Sequence, residues 1–348
     1  MKSVLVLGGT GAIGIPLVNL LSAEKDVEVI VTSRNPHKNF LNVKYILANA
    51  RDPKSMEKIV SGHQYDCIVD FMNYNYEEFD AWHLRLLQST KYYIFLSSSR
   101  VYAESQIPLT EDSPRLLETT RDLEFLATNR YALRKAREED LLKSSGMKNY
   151  TIVRPYITYS NRRLQLGICE KEDWLYRILN DKEVLFSEGV LDKYTTMTFG
   201  DNVSYGIATL IKKAEPKGEV IHITTEETMT WGEILRLYSR VILEETKKEV
   251  IIYTSNQIEE LELMYEGGYN TIYDRQWNRI FSNAKAELIC GHIEYLPMRE
   301  GLEKCLRSFL KDWKRQGNDI FLTQNAQYHN LMDKILEQNT IIKRRVNI

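Results

Sequence analysis

The sequence predicts an α/β fold built on a doubly wound parallel sheet, and three observations carry that prediction. Short apolar, β-branched runs recur along the first 160 residues. Helical patterns separate them. The first run, Ser3 to Leu7, ends in the turn Gly8-Gly9-Thr10-Gly11-Ala12-Ile13-Gly14, after which a helical pattern begins. Strands that alternate with helices pair in parallel, because each crossover helix packs back on the sheet.

Gly9, Gly11 and Gly14 fit the spacing G-x-G-x-x-G between a strand and a helix. In that setting one glycine makes the turn, one lets the backbone approach a pyrophosphate, and one lets helix and strand pack closely. The anion sits at the helix N-terminus, where unpaired N–H groups and the helix dipole both favour negative charge. The same glycines serve a plain turn, so position between strand and helix is what favours a Rossmann-type dinucleotide site.

Each further element follows in order. Ile15 to Leu21 continues the helix, and Val27 to Thr32 reads as a second strand. Its end reads Thr32-Ser33-Arg34-Asn35, with no acid for a ribose 2′-hydroxyl and with a base for a 2′-phosphate. NADP(H) is therefore favoured over NAD(H), with Ser33 and Arg34 as contacts. Val43 to Leu47 and Asp66 to Met72 supply the third and fourth strands, with a helix around Met56 to Val60 between them. Loops after such strands lie at the carboxyl edge where ligands bind, which makes Asn49, Ala50, Phe71, Met72 and Asn73 cofactor-loop candidates. A helix from Glu77 to Gln88 leads to a fifth strand, Tyr92 to Leu96, which ends in Ser97-Ser98-Ser99-Arg100-Val101-Tyr102.

Serines often simply end strands, but three at this edge suit hydroxyls that touch a substrate oxygen. Further on, Tyr131 and Lys135 are four residues apart and so share one helix face. A tyrosine of pKa about 10 needs a nearby ammonium to shuttle protons at neutral pH.

Composition narrows the function classes. The 348 residues carry a formal net charge of −2 with acids and bases interspersed, which lacks the basic footprint of a nucleic-acid binder. Cys67, Cys169, Cys290 and Cys305 are scattered, with neither zinc-ligand nor disulfide-framework spacing, so no metal is expected. No apolar run approaches the ~18 residues of a membrane span, and no leader precedes the first strand. A cytoplasmic protein without membrane partners is expected.

Together these motifs resemble the extended short-chain dehydrogenase/reductase family, in particular its NAD-dependent epimerase/dehydratase branch, which acts on nucleotide sugars. The resemblance spans about residues 1–310 and rests on the glycine turn Gly8 to Gly14, on Ser97 to Tyr102, on Tyr131 with Lys135, and on Glu139. It implies that Tyr131 moves a proton, that Lys135 holds the nicotinamide ribose and lowers the tyrosine pKa, and that Ser98, three residues before Val101, bonds the substrate oxygen. Ser99, Arg100 and Arg275 are read as accompanying substrate contacts; the stretch Tyr273 to Arg279 offers Arg275 or Arg279 for a pyrophosphate contact or serves as a lobe-packing loop. The resemblance also implies a homodimer formed through the helices around Glu77–Gln88 and Arg134–Lys143.

Departures from the family pattern bear on the reaction. Dehydratases and sugar-acid decarboxylases carry a glutamate where this chain has Arg100, and the epimerase-reductases that make fucose carry a cysteine there. The usual Arg-x-x-Asn after the sixth strand reads Arg154-Pro155-Tyr156-Ile157, and the pattern around Asp192-Lys193-Tyr194 is eroded. The expected function is hydride transfer at one sugar carbon, C4, by a 4-keto-sugar reductase. The alternatives are a 4-epimerase with tightly bound NAD and a non-catalytic binding protein of the same fold.

The expected organisation is a cofactor domain over residues 1–160, completed by about 198–224. A smaller, mostly helical substrate-binding lobe follows from residues 161–197 and 225–316, then a helical extension over 317–348. In these later parts Asp201 is read as a helix cap, His222 as a core histidine, and Thr230 with Glu233 as a capping box.

Overall fold

The computed structural model describes residues 1–255, 268–321, 326–337 and 344–345. Its centre is a sheet of seven parallel strands: β1 (Lys2–Leu7), β2 (Val27–Ser33), β3 (Val43–Leu47), β4 (Cys67–Asp70), β5 (Tyr93–Leu96), β6 (Tyr150–Arg154) and β7 (Glu219–His222). The spatial order is β7-β6-β5-β4-β1-β2-β3. Strand order therefore reverses beside β1, which pairs with β2 through Val4 and Val29 and with β4 through Leu5 and Ile68. This switch point opens a crevice at the carboxyl ends of the strands.

Period-two alternation along β1 feeds two cores. Val4 and Val6 pack with Leu17, Val18 and Leu21 of α1 (Gly14–Ser22), and with Val203, Ile207 and Leu210 from a helix introduced below. Leu5 and Leu7 face the opposite way. They pack with Met56, Ile59 and Val60 of α2 (Pro53–Val60), Phe79 and Leu86 of α3 (Tyr76–Gln88), and Leu142 of α4 (Tyr131–Ser144). Burial on both faces explains why these strands read as continuous apolar runs.

The cap signals are local and readable. Asp52 accepts the Ser55 N–H at 2.8 Å and starts α2, and Asn75 with Glu78 closes a reciprocal box at the start of α3. Asp201 differs from expectation. α5 (Gly200–Lys213) begins one residue earlier, with Phe199 as the cap and no side-chain cap bond. The reason is packing: a Cβ on Gly200 would fall 2.5 Å from the Ala12 carbonyl oxygen, and Ser204 donates to the Ile13 carbonyl at 2.6 Å. The helix start is thus set against the glycine turn, and Asp201 lies within its first turn, where a carboxylate favours the dipole.

A further core gathers mostly residues beyond 150 together with Val101, Tyr102, Leu109 and Ala136, and in it Trp174 stacks on Tyr238 at 5.0 Å. It contains α6 (Trp231–Thr246) and α8 (Met298–Gln316), while α7 (Ala284–Cys290) returns to the central sheet. Thr230 and Glu233 cap α6 reciprocally. His222 is wholly buried. The lobe is less helical than expected, because Val184–Ser187 pairs with Ile252–Ser255, which pairs in turn with Arg344–Arg345. The chain after residue 316 is part helix, α9 (Ala326–Glu337), and part strand. Arg177 fastens α9 by donating to Asp333 at 2.5 Å and to the His329 carbonyl at 3.1 Å. Leu322 and Lys343, read in sequence as part of this extension, lie outside the described residues.

No helix among the described residues is long and apolar enough to cross a membrane. The four cysteines are buried and form no disulfide among the described residues. Among the described residues no cluster of His, Cys, Asp or Glu is arranged to hold a metal ion.

Candidate active site

The glycine turn has a packed side and an open side. Gly8 has φ of +71°, and a Cβ there would meet Met72 at 2.9 Å. A Cβ on Gly9 would fall 2.8 Å from Val31, and one on Gly14 would fall 2.6 Å from the Gly9 backbone. These contacts hold Ala12 and Ile13 at the head of α1. Gly11 differs, since nothing lies within 4 Å of its Cβ position. The open side faces a groove lined by Gly8, Thr10, Gly11, Ser33, Arg34, Asn49, Ala50, Phe71, Met72 and Asn73. The cofactor candidates from four separate loops thus converge on one groove, whose free backbone suits a dinucleotide pyrophosphate.

Arg34 is exposed at the rim, and Ser33 is buried with its hydroxyl accepting the Asn35 N–H at 3.1 Å. Arg51 also lines the groove, paired with Glu78 at 2.9 Å. Sequence reading missed it, although it directly follows Asn49-Ala50 in the same loop. The Phe71–Asn73 loop is fixed from beneath by Asp70, which accepts the Met72 N–H at 2.9 Å and the Tyr93 hydroxyl at 2.7 Å. Burial pushes the Asp70 carboxyl up to about 6.

The three serines after β5 have different duties. Ser97 donates to the buried Glu139 carboxylate at 2.6 Å, and Ser99 donates to the Arg154 carbonyl at 2.9 Å. Ser98 accepts the Arg100 N–H at 3.2 Å, so among the described residues its hydroxyl proton remains for a ligand. Ser99, taken from sequence as a substrate contact, is completely buried and bonded to backbone. Its register at the strand end carries it into the core.

The short turn Ser99–Val101 packs on α4, whose first residue is Tyr131. Arg100 and Arg134 stack on the Tyr131 ring, with guanidinium carbons 5.1 and 5.7 Å from its centroid. Arg134 also donates to Asn73 at 2.6 Å and so ties the tyrosine helix to the cofactor groove. Lys135 is buried, 4.5 Å over the Phe95 ring and 2.9 Å from Glu138, close enough to pair as ions though not aligned as a hydrogen bond. Burial raises the Glu138 carboxyl above the usual range, against the opposing pull of Lys135.

Glu139 holds the frame. Arg154 donates to both of its oxygens, at 2.8 and 2.6 Å. Burial works to raise the Glu139 carboxyl, but Arg154, Ser97 and Lys143 hold it below the usual range.

Across the cleft, Arg275 donates to the Gly167 carbonyl at 3.0 Å and to the Tyr156 hydroxyl at 3.1 Å. It also borders a narrow cavity with Phe186, Val190 and Thr271. Arg279 is committed to the protein, through Asp274 at 2.8 Å and the carbonyls of Ala103 and Tyr102 at 3.0 and 3.1 Å. Sequence reading did not single out Asp274, which joins these arginines. Two of its partners, Arg100 and Tyr156, are far away in the chain, and no local pattern marks it.

The family model of the NAD dependent epimerase/dehydratase family matches residues 4–223. The chain belongs to that family. Members of the epimerase/dehydratase family also appear among the solved structures that share the fold, at low sequence identity. WbmH of Bordetella bronchiseptica, in complex with NAD+, superposes with TM-score 0.66 at 15% identity, over 91% of this chain and 100% of that one. UDP-N-acetylglucosamine 4-epimerase from Methanobrevibacter ruminantium, in complex with UDP-N-acetylmuramic acid, gives 0.66 at 19% identity, over 90% and 99%. UDP-glucuronic acid 4-epimerase from Bacillus cereus, in complex with NAD, gives 0.63 at 15%, over 89% and 99%. No curated protein matches the sequence.

Proposed function

We propose that this enzyme exchanges a hydride with one carbon, C4, of a nucleotide-activated sugar, as a 4-keto-sugar reductase that uses NADP(H). The observation that carries the reading is the division of labour around Tyr131, where Ser98 keeps its hydroxyl proton while Ser97 and Ser99 are bonded into the frame. A dinucleotide held in the groove of Gly8, Gly11 and Phe71 to Asn73 would supply the hydride chemistry. Tyr131 passes the proton to or from the sugar hydroxyl, and Ser98 orients that oxygen. Negative charge developing on the oxygens is met by the guanidinium groups of Arg100 and Arg134, fixed in place before reaction. Lys135 is read as the contact to the nicotinamide ribose.

The free Gly11 side and the loops of Asn49, Ala50 and Phe71 to Asn73 fit a dinucleotide. Arg34 and Arg51 at its adenosine end support a 2′-phosphate. Arg100 gives no carboxylate to expel water, which speaks against dehydration. A second reading, a 4-epimerase that retains NAD, is favoured by the 4-epimerases among the structures sharing the fold, one of them in complex with NAD. We also propose a homodimer through α3 and α4, supported by Leu84, 45% exposed on α3.

The test is to mix enzyme with UDP- and dTDP-linked 4-keto sugars and NADPH, and separately with the matching hexoses. Absorbance of the reduced nicotinamide is followed and the sugars are analysed. Stoichiometric NADPH consumption by the ketone supports the reductase. Epimer formation without net change in nicotinamide assigns the epimerase.

A further inference from the structure

Beside Tyr131 lies more positive charge than hydride transfer requires. Arg100, Arg275 and Arg279 converge on the single carboxylate of Asp274, which is 2% exposed. Arg279 Nε stands at 2.8 Å and Arg100 Nε at 3.5 Å, with Arg275 in closer contact, while the Tyr156 hydroxyl adds bonds of 3.1 and 3.2 Å. Two buried cations and the partly buried Arg100 thus share one anion among the described residues, and the exposed Glu104 acts on Arg279 only at longer range. Burial pulls all three guanidinium groups below the ordinary arginine range, Arg275 to about 10, and neighbouring arginines add to this at Arg100 and Arg275. Unbalanced buried charge is costly and is relieved by an anion.

The three are not equally placed to receive one. Arg279 is bonded to backbone and to Asp274. Arg275 borders the narrow cavity that it shares with Phe186. Arg100 is the most exposed of the three. Its side chain is 18% exposed, its Nη2 meets Asn270, its Nε has no hydrogen-bond partner, and its guanidinium lies on the ring of Tyr131 itself.

A pyranose whose C4 oxygen meets Tyr131 carries its diphosphate on C1, across the ring. The substituent on C5 lies next to the reacting carbon. We propose that Arg100 binds a carboxylate carried by the sugar at that position, so that the preferred substrate is a nucleoside-diphosphate sugar acid rather than a neutral hexose. This rests on the nucleotide-sugar reading above. A neutral sugar leaves Arg100 to share Asp274 with two other arginines, whereas a carboxylate offers the planar guanidinium a two-point contact.

Calorimetry on the NADPH-loaded enzyme tests this with UDP, UDP-glucose and UDP-glucuronate, and with the dTDP counterparts of each. In at least one series the glucuronate is expected to bind about ten-fold or more tightly than the glucose, the scale of one charge-assisted hydrogen bond. In Arg100→Gln that preference should fall below about two-fold, and Arg100→Lys, which keeps the charge, should retain part of it. Equal affinity of wild type for glucose and glucuronate overturns the proposal and leaves the nucleotide-sugar reading in place. So does a loss in Arg100→Gln that is the same for the bare diphosphate and both sugars, because the arginine then serves the diphosphate. Failure of all six compounds to bind overturns the nucleotide-sugar reading itself and this proposal with it. The wild-type preference decides the matter even if a variant folds poorly.

Discussion

Lys135 holds its ammonium 2.9 Å from the Glu138 carboxylate, one turn along the same helix, with both side chains buried. Asp70, also buried, acts on the same lysine from the end of β4. Lys135 therefore answers two carboxylates beneath the cofactor loop, and Arg134 Nε lies 3.5 Å from Glu138 as well. Desolvation prevails at Asp70, whose carboxyl rises from 3.8 to about 6.

A pH dependence follows from that shift. Asp70 binds its proton more tightly folded than unfolded, so its contribution to stability is fully present below pH 3.8 and is lost as pH rises through about 6. The stability of wild type relative to Asp70→Asn should decline over that window by on the order of 3 kcal/mol. Urea unfolding at pH 4, 5, 6 and 7 measures the gap. A gap that does not change with pH contradicts the assignment.

The glycine turn separates folding from binding. Gly11→Ala places a methyl where nothing lies within 4 Å, so stability should change by no more than about 0.5 kcal/mol while dinucleotide affinity falls at least ~10-fold. Gly14→Ala drives its methyl to 2.6 Å from the Gly9 backbone and should destabilise by about 1–3 kcal/mol. Unfolding curves and dinucleotide titrations on both variants read this out. Unchanged affinity in Gly11→Ala would move the pyrophosphate elsewhere.

The serines divide in the same way. Ser97→Ala removes a bond to a buried carboxylate and should cost about 1.5–3 kcal/mol of stability. Ser98→Ala should leave stability within about 0.5 kcal/mol of wild type and lower turnover at least ~10²-fold. The reverse pattern would exchange their roles.

What the sequence made legible was local. The strand, glycine turn and helix are encoded in one continuous stretch from Lys2 to Ser22, and Tyr131 with Lys135 is marked by helical spacing. Ser98 could be set apart from its neighbours only by resemblance, because the bonds of Ser97 to Glu139 and of Ser99 to the Arg154 carbonyl form across the fold. Glu138 was illegible, because a glutamate beside Glu139 reads as a solvated face until the helix is seen packed on two sides. Asp274 was illegible for a different reason, since it meets Arg100 across more than 170 residues of chain.

Cofactor choice is testable at Arg34. Arg34→Ala should weaken NADP(H) by about 1.5–3 kcal/mol, the scale of a charge-assisted hydrogen bond, and spare NAD(H). Titration of both dinucleotides decides. Equal losses, or a wild-type preference for NAD(H), removes Arg34 from the site and favours the epimerase reading.

The central claim is that Tyr131 carries the proton in hydride exchange on a nucleotide sugar. The direct measurement is steady-state turnover of Tyr131→Phe on the sugar that wild type accepts, with dinucleotide affinity measured on the same preparation. The account predicts a fall of at least ~10²-fold in turnover, the low end for a lost general acid or base, with affinity within about two-fold of wild type. Near-wild-type turnover in the phenylalanine variant would contradict it.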